Sequence, residues 1–69
     1  MGEKKLLPHQ VRVVNEANEL AAKIKSLNDF IEFDDRFHEQ TFAEQILMQS
    51  QLKAMMRYNA CLSNRITLF

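Results

Sequence analysis

Sixty-nine residues leave room for one small domain, and a fold with two cores is excluded. Nine Lys and Arg balance nine Asp and Glu, so the formal charge is zero. That balance argues against a general nucleic-acid coat and against a polybasic membrane binder. With one Gly, one Pro and 46% apolar residues, the chain is too apolar for disorder and too poor in turn residues for an all-β protein.

Pro8 suits the first turn of a helix, where its missing N–H is no loss. From there Val13, Ala17, Leu20, Ile24, Leu27 and Ile31 recur at alternating spacings of four and three, the seam of a packed helix. A helix over residues 8–32 follows, with Glu19 and Lys23 as an i, i+4 pair on its outer side. Residues 33–41 form a bend in which Asp34 and Asp35 cap a short extra turn and tuck Phe37 beneath it. Thr41 and Glu44 then read as a capping box, its hydroxyl and carboxylate each bonding the other's amide. A second helix over 42–67 carries the seam Met48, Leu52, Met55, Asn59, Leu62, Ile66 and Phe69. The expected fold is all-α: residues 1–69 form a single antiparallel two-helix hairpin with arms of about 25 residues, roughly 37 Å each.

Two helices touching along one seam bury little, and neither a disulfide nor a metal reinforces them. Val14, Ala21, Phe42, Leu47 and Met56 widen the apolar faces beyond a two-helix stripe. The hairpin is therefore expected to assemble into a homo-oligomeric helical bundle. Asn59, polar in a seam position, would set register or subunit number.

Charge is sorted along the hairpin. Residues 29–44 carry six acids and only Arg36, whereas residues 45–69 carry Lys53, Arg57 and Arg65 and no acid. The bend is acidic and the open end basic. The same pattern suits the macrodipole of the second helix, so it has a structural reading beside a binding one.

Catalytic and metal motifs are absent. The single glycine, Gly2, excludes a phosphate loop. His38-Glu39 opens like a zinc-protease helix, but Phe42 stands where the second histidine is required. His9, His38 and Cys61 have no ligand spacing. Cys61 with His9 would make a nucleophilic pair across the hairpin, but as a small apolar residue it reads better as buried. No enzyme, cofactor or metal is expected. The opening Met1-Gly2-Glu3-Lys4-Lys5-Leu6 carries neither the apolar core of a signal peptide nor the Ser or Thr that myristoylation needs at position 6, and no apolar run is long enough to span a membrane.

The open end offers a candidate ligand site. Antiparallel arms bring Pro8, His9, Gln10 and Arg12 toward Tyr58, Asn59 and Arg65. Arg12 and Arg65 are placed for phosphates, Tyr58 for stacking on a base, and His9 and Gln10 for base edges or phosphate oxygens. Free amides of the first helical turn would add to anion binding. The structural alternative is an internal network in which Glu16 bonds Arg12, Arg57 or the Tyr58 hydroxyl.

Leu7-Pro8-His9-Gln10-Val11-Arg12-Val13-Val14, Leu27-Asn28-Asp29-Phe30-Ile31, and the pattern Met55, Tyr58, Leu62, Arg65-Ile66 resemble a family of short helical-hairpin proteins of tailed bacteriophages and prophages. The acidic bend and Phe42 depart from the short turn usual in that group. In size and hairpin type the chain is also similar to the phage sponges that sequester cyclic nucleotide messengers of bacterial immunity in the CBASS and Thoeris systems. Those bind between protomers without hydrolysis. The resemblance implies an oligomeric sponge for a cyclic di- or trinucleotide in the host bacterial cytoplasm, with no membrane partner. A second reading is a phage inhibitor or adaptor that docks a helical face, rich in Met48, Met55 and Met56, on a host protein. The acidic bend would serve such an inhibitor as a DNA mimic. DNA binding by the final helix is the weakest reading, because three cations make few phosphate contacts.

Overall fold

A computed structural model describes residues 5–69. Residues 1–4 lie outside the described residues; the charges of Glu3 and Lys4, and most of the segment read for a leader or a lipid signal, fall there. The chain is all-helical, with α1 (Pro8–Phe33), α2 (Arg36–Glu39) and α3 (Phe42–Thr67). It is rod-shaped, 55 × 16 × 15 Å.

Helix α1 opens with Pro8 in its first turn, and the Gln10 side-chain Oε1 accepts the Leu7 amide hydrogen at 2.8 Å. Helix α3 opens on Thr41, whose Oγ1 accepts the Glu44 amide hydrogen at 3.1 Å. The reciprocal bond expected from the Glu44 carboxylate to the Thr41 amide is not formed among the described residues, so half of the capping box is present. Likewise the ion pair on α1 is Lys25 with Asp29, at 2.8 Å, and not Glu19 with Lys23. Glu19–Lys23 has the more favourable order, but exposed i, i+4 pairs differ by only a few tenths of a kcal/mol, about what side-chain rotamers decide.

Val13, Ala17 and Leu20 of α1 close on Leu62 of α3, with Ile24, Met55, Ile66 and Phe69 packed around them. Every position of the two seams is buried or half-buried, because alternating steps of four and three keep one stripe of each helix facing the other. Cys61 corrects the sequence expectation: it is exposed, not buried. It stands one residue before Leu62, and the turn of about 100° per residue carries it off the seam despite its apolar character.

The bend is built on Asp34. Its Oδ1 accepts the Arg36 amide hydrogen at 2.9 Å, and the Arg36 guanidinium closes a two-pronged pair on both carboxylate oxygens, at 3.0 and 2.7 Å. These bonds start α2, which drives Phe37 inward to 4% exposure and edge-on to Phe30, with ring centroids 6.4 Å apart. The Arg36 side-chain bonds, then its backbone bond, hold the Asp34 carboxyl well below its ordinary 3.8, at about 2. A depressed folded-state pKa means that the contribution is complete above the ordinary carboxylate range and is lost as pH falls from about 4 toward 2. A carboxyl NMR titration should therefore find Asp34 titrating near 2, and Arg36→Gln should return it toward its usual value. An Asp34 titrating near 4 in the unaltered chain would contradict the fork.

Asn59 occupies the seam with its side-chain Oδ1 buried and without a hydrogen-bond partner. Leaving such an acceptor unsatisfied costs about 1–3 kcal/mol. Asn59→Leu is expected to raise stability by about that amount in urea unfolding. A loss of stability instead would mean that a donor from another copy meets this oxygen.

Outside these contacts the molecule is thinly covered. Among the described residues five hydrophobic side chains are buried, while Phe33, Phe42, Leu47, Met56 and Leu68 are each more than half exposed. The accessible surface is 5620 Å², against about 4,500 Å² for a compact monomer of this mass. Among the described residues no helix is long and apolar enough to cross a membrane.

Candidate functional site

The cluster that joins Val13 and Ala17 of α1 to Leu62 and Ile66 of α3 brings the first turns of α1 and the last turns of α3 to one end of the rod. The five residues read from the sequence do not occupy it equivalently. His9, Arg12, Tyr58 and Arg65 are exposed, Tyr58 at 47%, whereas Gln10 is half-buried. Gln10 also spends its side-chain oxygen on the Leu7 amide, leaving its NH₂ group for a ligand.

Heptad spacing places His9, Tyr58 and Arg65 on one flank. His9, Glu16, Lys23 and Phe30 are seven apart on α1, as are Gln51, Tyr58 and Arg65 on α3. Lys23, Phe30 and Gln51 line a common groove, so both sets border the seam on the same side. Arg12 lies about 60° from His9 in helical phase, on the side away from the seam, in one row with Glu19 seven residues on. These rows carry an imidazole, two guanidinium groups, an ammonium and a phenol ring, together with the carboxylates of Glu16, Glu19 and Glu44.

The internal network weighed against a ligand site is not formed. Among the described residues the ion pairs are Lys25–Asp29 and Arg36–Asp34, and none engages Arg12, Arg57, Arg65 or Glu16. Among the described residues no carboxylate lies within ion-pair distance of these cations. The helix terminus adds less than its four amides suggest. Pro8 has no N–H, and the amides of Gln10 and Val11 both donate to the Leu7 carbonyl, at 2.9 and 3.0 Å. An anion at this end would therefore meet side chains more than backbone amides.

Two open grooves lie nearer the bend, and none of the five residues lines either. One, of about 500 Å³, is bordered by Lys23, Ser26 and Gln51 over Leu27, Phe30 and Met55. The other, of about 570 Å³, runs past Asp29, Asp34 and Asp35. They share Ser26 and Phe30. Sequence reasoning missed the first groove because Lys23 was assigned to Glu19 and Met55 to the seam. The signal available was the seven-residue spacing that puts Lys23 and Gln51 on the Tyr58 flank. Among the described residues no group of three His, Cys, Asp or Glu side chains is placed to hold a metal ion.

The Sequestin family matches residues 7–68, from the residue before α1 to the residue after α3. The chain belongs to the Sequestin family. It is also similar to an uncharacterised 7.5 kDa protein encoded in the denB-rIIB intergenic region of Enterobacteria phage T4, with 38% identity over 64 residues, 93% of this chain and 98% of the relative. That relative supports the resemblance to small phage proteins. No solved structure matches this Sequestin-family chain.

Proposed function

We propose that the chain is a phage-encoded sponge, in which antiparallel hairpins assemble into a homo-oligomeric bundle and sequester a cyclic nucleotide immune messenger in the host cytoplasm without hydrolysing it. The observation that carries this reading is the set of exposed His9, Arg12, Tyr58 and Arg65 at one end of the rod, whose cations have no internal carboxylate partner among the described residues. Arg12 and Arg65 bind phosphates, Tyr58 stacks on a base, and His9 with the NH₂ group of Gln10 reads edges or phosphate oxygens. The family name, Sequestin, denotes sequestration and supports binding over turnover. The excess accessible surface and the exposed Met56 and Leu47 support assembly.

Thermal shift against a panel of cyclic di- and trinucleotides tests the proposal. A ligand at 100 times its dissociation constant adds about 2.7 kcal/mol. Arg12→Gln and Tyr58→Ala should each abolish the shift and leave the melting temperature of the free protein unchanged. The recovered nucleotide should be chemically intact. No shift with any member of the panel overturns the reading.

The exposed Phe42, Leu47 and Met56 favour a second reading, an adaptor that docks a helical face on a host protein. A stable host partner lost on Met56→Glu would support it.

A further inference from the structure

We infer that the groove between Lys23 and Gln51 is a nucleobase subsite, holding the ring of an anionic nucleotide over Phe30 and Met55. The inference rests on the proposal that the ligand is a nucleotide, and adds a place for its base that lies outside the open-end cluster. The groove floor is Leu27, Phe30 and Met55, an aliphatic, an aromatic and a thioether side chain suited to a flat π-face. Its volume, about 500 Å³, lies in the range of small-molecule sites and exceeds what a single base fills.

The rim supplies the polar groups that such a ring requires. Ser26 offers a hydroxyl and Gln51 an amide, each both donor and acceptor. The Gln51 Nε2 group donates to the Met55 sulfur at 3.8 Å. Thioether sulfur is a weak acceptor, so a ring nitrogen or carbonyl of a base replaces it with gain.

Charge fixes the orientation. No carboxylate lines this groove, and Lys23 makes no ion pair among the described residues. Beyond Phe30 the neighbouring groove is lined by Asp29, Asp34, Asp35 and Arg36; Arg36 is held by Asp34 and Asp29 is paired with Lys25, so that side offers an anion no unpaired cation, and Asp35 opposes it. The phosphate therefore sits at Lys23, on the side of the groove that leads along the flank to Tyr58 and Arg65, and the base points toward the bend.

Methyl NMR of the full chain with adenosine monophosphate and with inorganic phosphate as probes tests the subsite. Adenosine monophosphate should move the Met55 methyl and leave Met56 in place, while inorganic phosphate alone should not move Met55. Lys23→Gln, at an exposed position, should weaken adenosine monophosphate about tenfold with unchanged melting. A Met55 methyl that stays fixed at millimolar nucleotide overturns the inference. If cyclic nucleotides still raise the melting temperature in that case, the sponge reading stands and only the subsite fails. A Met55 methyl that shifts with protein concentration and not with nucleotide also overturns it, and gives the groove to a second copy.

Discussion

Truncating Phe37 to alanine is expected to cost about 3–5 kcal/mol, the usual range for a buried phenylalanine. The side chain is 4% exposed and meets Phe30 edge-on at 6.4 Å, with the His38 ring at 5.4 Å. α2 is a single turn of four residues, too short to persist by its own hydrogen bonds. Its place depends on Phe37 below and on the Asp34–Arg36 fork above. Loss of the ring leaves a cavity under the bend and frees α2, so the connection between α1 and α3 loosens. Urea unfolding followed by circular dichroism measures the effect, with Phe33→Ala as the control. Phe33 is 79% exposed, and its truncation should change stability by less than about 0.5 kcal/mol. Equal effects at the two positions would contradict the packing of the bend.

Leu62→Ala is expected to cost about 2–5 kcal/mol, toward the upper end because the site cannot collapse. Leu62 is 2% exposed, the most buried side chain described, and it is the α3 residue on which Val13, Ala17 and Leu20 converge. Leu62 is enclosed between its own helix and α1, and this chain has few other buried contacts to absorb the loss. Most of the measured stability should disappear, leaving a broad, low-temperature melt. A cooperative transition within about 1 kcal/mol of the parent would show that these helices are not held together at Leu62.

The two long helices were legible because apolar residues at steps of four and three admit one helical stripe and no strand alternation. The same stripe identified the seam, including Asn59, whose buried Oδ1 lacks a partner. The bend was legible in outline from Asp34, Asp35 and Phe37. Its fork was not, since a pairing of Asp34 with Arg36 two residues later depends on the turn that it creates. Cys61 was misread because residue type was weighed above helical phase. At the candidate site, types and approximate neighbours followed from composition and heptad spacing. The use of the Gln10 oxygen at the helix start did not, because an amide side chain serves a cap or a ligand equally well. The Lys23–Gln51 groove depends on how Phe30, beside the seam, and Met55, within it, pack against each other's helices, which spacing alone does not determine.

A lean rod with 5620 Å² of accessible surface and five buried hydrophobic side chains among its described residues should reach full stability in company with copies of itself. Multi-angle light scattering of the full chain at micromolar concentration, paired with thermal melts over a dilution series, tests this directly. A mass at an integer multiple of 8.1 kDa, two or greater, and a melting temperature that falls on dilution are the expected results. An 8.1 kDa particle that melts cooperatively at a concentration-independent temperature would contradict it.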